Sequence, residues 1–134
     1  MAVLRSDSAP IRTEDDVVRI RQVVRQASLE LKLNLVEQTK VVTAASELAR
    51  NTLIHGGGGA MRMELLNDGP KRGLRLIFED EGPGIADLAQ ALTDGYTTGG
   101  GLGLGLSGSK RLMSDFAIES TPGKGTRVTV TRWK

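Results

Sequence analysis

The sequence predicts an α+β sandwich, one sheet carrying helices on one face. Three observations predict it. Apolar residues recur at helical spacing through the first half, from Glu14 to Thr52. They alternate with period two from Met61 to Phe78, across a turn at Asn67-Asp68-Gly69-Pro70. A closing hairpin is then centred on Pro122-Gly123-Lys124-Gly125. Helices gathered first and strands later require two packed layers. The 134 residues suit one domain, spanning 1–134.

Each element follows from its residues. Val3 to Arg12 reads as extended chain, and Pro10 limits it to an edge strand. Thr13 offers an N-cap, with Glu14, Asp15 and Asp16 suited to the positive end of a helix dipole. Val17, Ile20, Val24, Ala27 and Leu31 then form one buried stripe. Asn34 with Glu37 is a second capping pair, opening a long helix that Gly56 to Gly59 stop. Met61, Met63 and Leu65 alternate with Arg62, Glu64 and Leu66, as in a strand half-buried on a core. Gly73 to Glu79 is its partner, with Leu74, Leu76 and Phe78 on one face. A short helical piece from Asp87 to Leu92, a glycine-rich stretch and a helix from about Ser107 to Asp115 follow. Ala117 to Ser120 and Thr126 to Trp133 make the closing hairpin, with Trp133 either a last core plug or an exposed partner contact.

Composition removes several functions. A net charge of +2 and no basic run with interleaved aromatics argue against nucleic acid. The absence of Cys excludes disulfides, thiol catalysis and thiolate metal sites. A single His excludes a histidine-rich metal cage. The first residues lack a signal-peptide core, and no apolar run reaches the ~20 residues of a membrane span. A cytoplasmic domain that binds no membrane is the expectation.

Three segments carry chemistry. Glu47, Asn51 and His55 share one helix face, at i, i+4 and i+8. A carboxylate there can take a proton from a hydroxyl, and an amide oxygen can ligate Mg²⁺ without adding charge that repels phosphate. Taken alone, the pattern also fits a solvated face, with His55 simply ending the helix. Asp80 ends an apolar strand and precedes Gly82-Pro83-Gly84. Such an Asp is usually a turn former, but glycines on both sides of Pro83 let a planar ligand approach the backbone, where the carboxylate can accept from an exocyclic amine. Gly95 to Gly105 is too rich in glycine for a stable helix or strand. It reads as a mobile loop leading into a helix N-terminus, a phosphate-attracting arrangement. Rossmann and P-loop patterns both fail: no first strand precedes the glycines, and Gly108-Ser109-Lys110 has the wrong order.

These residues resemble the GHKL ATPase/kinase superfamily, whose nucleotide fold is called the Bergerat fold. Glu47-x-x-x-Asn51 matches its N box, Asp80-x-Gly82-x-Gly84 its G1 box, Gly101-Leu102-Gly103-Leu104-Gly105 its G2 box, and Gly123-x-Gly125-Thr126 its closing strand. The resemblance implies a mixed, mostly antiparallel sheet. It is also similar to the small anti-sigma-factor serine/threonine kinases. Glu47-Leu48-Ala49-Arg50-Asn51, Asp94-Gly95-Tyr96-Thr97-Thr98-Gly99 and Gly105 to Met113 look most like the RsbT-type switch kinases of stressosomes.

The resemblance implies roles. Glu47 is then the general base and Asn51 the Mg²⁺ ligand. Asp80 reads adenine with Thr126, and Gly82 and Gly84 make room for the base. Residues 93–107 form an ATP lid that includes Gly101, Gly103, Gly105 and Leu106. Arg50, His55, Thr98 and Lys110 are secondary candidates. Substrates are STAS-domain antagonist proteins, and a released kinase activates a phosphatase or similar output protein. The glycine clusters at 56–59 and 99–101 depart from the family pattern as unusually permissive backbone. Two other readings compete: a nucleotide-gated binding module without kinase activity, and an anti-sigma factor that sequesters a sigma subunit. Glu47 favours the kinase, because a pure sensor needs no base.

Overall fold

Two capping boxes set the helical layer. The computed structural model of the protein describes residues 1–84 and 105–134. Strand β1 (Ala2–Ile11) leads into helix α1 (Glu14–Glu30). Thr13 Oγ1 accepts from the Asp16 N–H at 3.2 Å, and Asp16 Oδ2 accepts from the N–H groups of Arg12 and Thr13 at 2.8 and 3.1 Å. The Arg12 N–H, foremost, and those Thr13 bonds hold the Asp16 carboxyl below the ordinary carboxylate range. Helix α2 (Leu35–Ile54) opens in the same way. Asn34 Oδ1 accepts from the Glu37 N–H at 2.8 Å, and Glu37 Oε1 from the Asn34 N–H at 3.3 Å. Val17, Ile20, Val24, Ala27 and Leu31 are all buried, as the helical spacing predicts.

The sheet comprises β1, β2 (Gly59–Asp68), β3 (Lys71–Asp80), β4 (Asp115–Thr121) and β5 (Gly125–Trp133), in the order β1-β2-β3-β5-β4. Every described pairing is antiparallel, so no parallel pair of the expected mixed sheet occurs among the described residues. β1 lies at an edge, where Pro10 withholds no ladder bond from the interior, and its register shifts between Val3 and Arg5. Helix α3 runs Gly105–Leu112, two residues earlier at its start than the spacing suggests. β4 begins sooner than expected because Asp115 already pairs with Thr131. The helical piece expected over Asp87–Leu92 and most of the glycine-rich stretch lie outside the described residues.

The helices cover one sheet face. Leu74, Leu76, Phe78, Met61, Met63 and Val130 meet α1 and α2 there in one aliphatic core. The second face follows a rule that simple alternation misses. Leu65 is half-buried on the core side, whereas Leu66 is only 1% exposed on the other. Leu66 pairs with Gly73, and Gly73 with Trp133. The Trp133 ring stands where a Gly73 side chain would go, 2.6 Å from that position, and its Nε1–H donates to Asp115 Oδ2 at 2.8 Å. Trp133 is therefore no core plug but lies half-buried on the outer face. Beside it, Arg75 Nε and Nη2 both reach Glu64 Oε1, at 2.7 and 2.6 Å. Among the described residues no helix is long and apolar enough to cross a membrane.

Candidate functional site

Helix α2 buries Ala44, Ala45, Leu48, Ala49 and Thr52 against the sheet and α1. One helical turn therefore separates Glu47 from Asn51 on a half-buried flank. Among the described residues neither side chain has a hydrogen bond or ion pair. Arg50, on the same turn, reaches Glu14 Oε1 of α1 at 4.0 Å. His55 closes the helix, its N–H donating to Asn51 O at 2.9 Å, and is exposed.

The chain then folds back. The Gly56 N–H donates to Asn51 O at 3.4 Å and the Gly58 N–H to Thr52 O at 3.0 Å. Gly59 enters β2 opposite Asp80. The last turn of α2 is thus delivered to the end of the central strand. The cluster is mixed: Gly56 and Gly59 are closely confined there, whereas Gly57 and Gly58 have positive φ and Gly57 has open space around it. A Cβ on Gly56 would stand 2.4 Å from Asp80 Cγ, and one on Gly59 would collide with the Glu79 carbonyl.

Asp80 pairs with Gly59 on one side and Thr126 on the other. Its Oδ1 accepts from the Gly82 N–H at 2.9 Å, the turn-forming bond expected of an Asp at a strand end. Its Oδ2 has no hydrogen-bond partner among the described residues, so the turn former keeps a free acceptor. Gly82 lies against Gly56, where a Cβ would come 2.7 Å from Gly56 Cα. Gly84 has φ +75° and lies under the Thr121 carbonyl. Pro83 O accepts from the Gly123 N–H at 2.7 Å, tying this turn to the β4–β5 connection.

Thr126 is buried at 8% exposure, with Oγ1 2.9 Å from Ser120 Oγ. Ser120 also donates to Gly125 O at 3.2 Å. Ser120 escapes sequence reading because only the β4–β5 register places it beside Thr126. Gly105 opens α3, and Leu106 is 5% exposed within the core cluster. Lys110 is exposed on the same helix. Thr98, Gly101 and Gly103 lie outside the described residues. The structure brings together Asp80, Gly82, Gly84 and Thr126 at one end of the sheet, to which the last turns of α2, carrying Glu47 and Asn51, run. Arg50 turns to α1, while His55 and Lys110 stand on the surface. Among the described residues no three His, Cys, Asp or Glu side chains cluster as a metal cage. A cation held by Asn51 would draw its other ligands from water or phosphate, as Mg²⁺ does.

Residues 36–134 match the family described as histidine kinase-, DNA gyrase B-, and HSP90-like ATPases. The chain belongs to this ATPase family. The match takes in α2 and every strand but β1. The chain is 45% identical over 123 residues to the serine/threonine-protein kinase RsbT of Bacillus subtilis, covering 92% of each chain. It is 33% identical over 119 residues to the anti-sigma F factor of a Thermoanaerobacter species, covering 84% of this chain and 82% of that one. In fold it resembles the RsbU and RsbW domains of Rv1364c from Mycobacterium tuberculosis, with a TM-score of 0.66 and 19% identity, over 96% of this chain and 32% of that one. The SiaB–SiaC complex of Pseudomonas aeruginosa gives a TM-score of 0.53 at 16% identity, over 98% and 91%. These likenesses place the antiparallel sheet and its helical layer within the ATPase-family fold.

Proposed function

We propose that this chain, a single domain over 1–134, is a cytoplasmic Mg²⁺- and ATP-dependent protein serine/threonine kinase. It phosphorylates STAS-domain antagonist or scaffold proteins and acts as a partner switch in stressosome or sigma-factor signalling, with a phosphatase or similar output protein downstream. One observation carries the reading. The Glu47 and Asn51 side chains and Asp80 Oδ2, which have no hydrogen-bond or ion-pair partner among the described residues, lie on the half of α2 that runs to the end of β3 and on that strand end itself. The 45% identity to a serine/threonine-protein kinase supports it.

The donor set suits the groups. Asp80 Oδ2 accepts from the adenine amine, and Thr126 adds a hydroxyl beside it. Gly82 and Gly84 keep the turn after Asp80 packed on Gly56 and on the Thr121 carbonyl, closer than any side chain would allow, and so hold the backbone that flanks the base. The Asn51 amide oxygen holds Mg²⁺, which neutralises phosphate charge when bound. Gly101, Gly103, Gly105 and Leu106 belong to the segment that covers the phosphates, with Thr98 and Lys110 as further contacts. Glu47 takes the proton of the substrate hydroxyl. Phosphoryl transfer asks mostly for positioning and charge neutralisation, which this set provides.

The test is Mg²⁺-dependent ATP binding followed by transfer of radiolabelled phosphate to a STAS-domain protein from the same operon. Transfer to a Ser or Thr is the expected outcome. Binding without transfer would instead leave a nucleotide-gated module. The 33% identity to an anti-sigma F factor supports a second reading, direct sequestration of a sigma subunit. A pull-down with purified sigma factor separates the two.

A further inference from the structure

Gly56 belongs to none of the sequence motifs, yet its missing side chain is where the Asp80 carboxylate sits. A Cβ built there would meet Asp80 Cγ at 2.4 Å, Cβ at 2.5 Å and Oδ2 at 2.6 Å. These are far inside van der Waals contact. The space around the pair is closed on the other side as well, since Gly82 packs on the Gly56 backbone and its N–H holds Asp80 Oδ1. The Asp80 backbone cannot retreat, because it is paired in two ladders, to Gly59 and to Thr126. Only the Asp80 side chain is left to move.

Gly56 has no conformational need to be glycine, as its φ is not in the left-handed region. Its neighbour shows the opposite case. Gly57 has φ +72° and nothing within 4 Å of its added Cβ. One position is glycine for space against Asp80, the next for backbone conformation alone. Adjacent residues thus offer a matched pair of perturbations, one aimed at the carboxylate and one that misses it.

We infer that Gly56 is a positioning residue for base recognition: it fixes the Asp80 carboxylate by packing against it and so couples the end of α2 to the nucleotide site. The inference rests on the nucleotide reading proposed above. A methyl group at 56 swings the carboxylate off its Gly82 bond and away from the base amine. An effect of this kind falls on adenine recognition and leaves phosphate contacts in place.

The experiment titrates wild type, Gly56→Ala and Gly57→Ala with ATP and with GTP by calorimetry, alongside thermal unfolding of each ligand-free protein. Gly56→Ala is expected to weaken ATP about tenfold or more and to reduce the preference for ATP over GTP. Gly57→Ala is expected to lower the melting temperature through backbone strain while holding ATP affinity within about twofold. Equal weakening of ATP in both variants, or a Gly56→Ala protein that binds ATP as wild type does, overturns the inference. If Gly56→Ala does not fold, the double variant Gly56→Ala/Asp80→Gly removes the colliding side chain. Recovered folding then supports the contact, and a double variant that stays unfolded overturns it. Wild type that binds no ATP overturns the nucleotide reading itself, a result independent of the variants.

Discussion

Thr126 Oγ1 and Ser120 Oγ lie 2.9 Å apart on neighbouring strands, at the end of a row that crosses four strands. The row runs Gly59, Asp80, Thr126, Ser120, each residue paired with the next. Ser120 therefore orients the hydroxyl that stands beside Asp80, the acid proposed to read the base. Ser120→Ala removes the contacts to Thr126 Oγ1 and Gly125 O; losing the first, worth about 1 kcal/mol, is expected to weaken ATP about fivefold. Calorimetry checks it, and wild-type affinity in the variant would refute the role.

Asp80→Asn separates the two duties of that side chain. An amide keeps an oxygen for the Gly82 N–H, so the turn survives. It replaces the free acceptor Oδ2 with a donor, which faces the donor of an adenine amine. The unpaired contact costs about 1–3 kcal/mol, so ATP affinity falls roughly ten- to a hundredfold. Circular dichroism should stay that of wild type. Loss of the fold would show that Asp80 is a structural residue first.

Glu47→Ala addresses chemistry in place of binding. Its carboxylate has no partner among the described residues, so its removal leaves no buried group unsatisfied. Phosphotransfer to the STAS-domain substrate is expected to fall by about a hundredfold or more, with ATP affinity near wild type. A single-turnover assay at saturating ATP reads the difference. A variant that transfers at the wild-type rate would exclude Glu47 as the base.

Asp16 gives the fold a pH dependence at its first helix. The Arg12 and Thr13 bonds lower its pKa in the folded chain relative to the unfolded one. Its stabilisation is thus fully present above the ordinary carboxylate pKa and is lost as pH falls through the lowered folded value. Asp16→Asn is therefore expected to lower the melting temperature at pH 7, with the gap from wild type narrowing by pH 3. A gap that is constant with pH would refute the carboxylate's part in the cap.

What was legible in the sequence was local. The Thr13–Asp16 and Asn34–Glu37 boxes span three residues each, so spacing alone reveals them. Pro10 announces an edge because a missing N–H is a property of one residue. The boxes around Glu47, Asp80 and Gly123 are short for the same reason, and all lie within the matched residues 36–134. The illegible features all depend on register between distant segments. Leu66 is buried on the outer face, in one row with Gly73 and Trp133 that only the strand register reveals. Gly56 read as a helix stop, since nothing in its neighbours reveals that Asp80 lies opposite. Ser120 is in sequence like any strand residue, and only the β4–β5 register sets it beside Thr126.

Asp80 is mounted on β3, the third of five strands and one bonded to a neighbour on both sides. Backbone amides in such a strand exchange with solvent only in rare, near-global openings, whereas edges such as β1 open readily. Transient fraying of β1 therefore leaves the Asp80 carboxylate in place. A docking partner could pry at the β1 edge of this sheet without shifting the carboxylate proposed to tell one nucleotide from another.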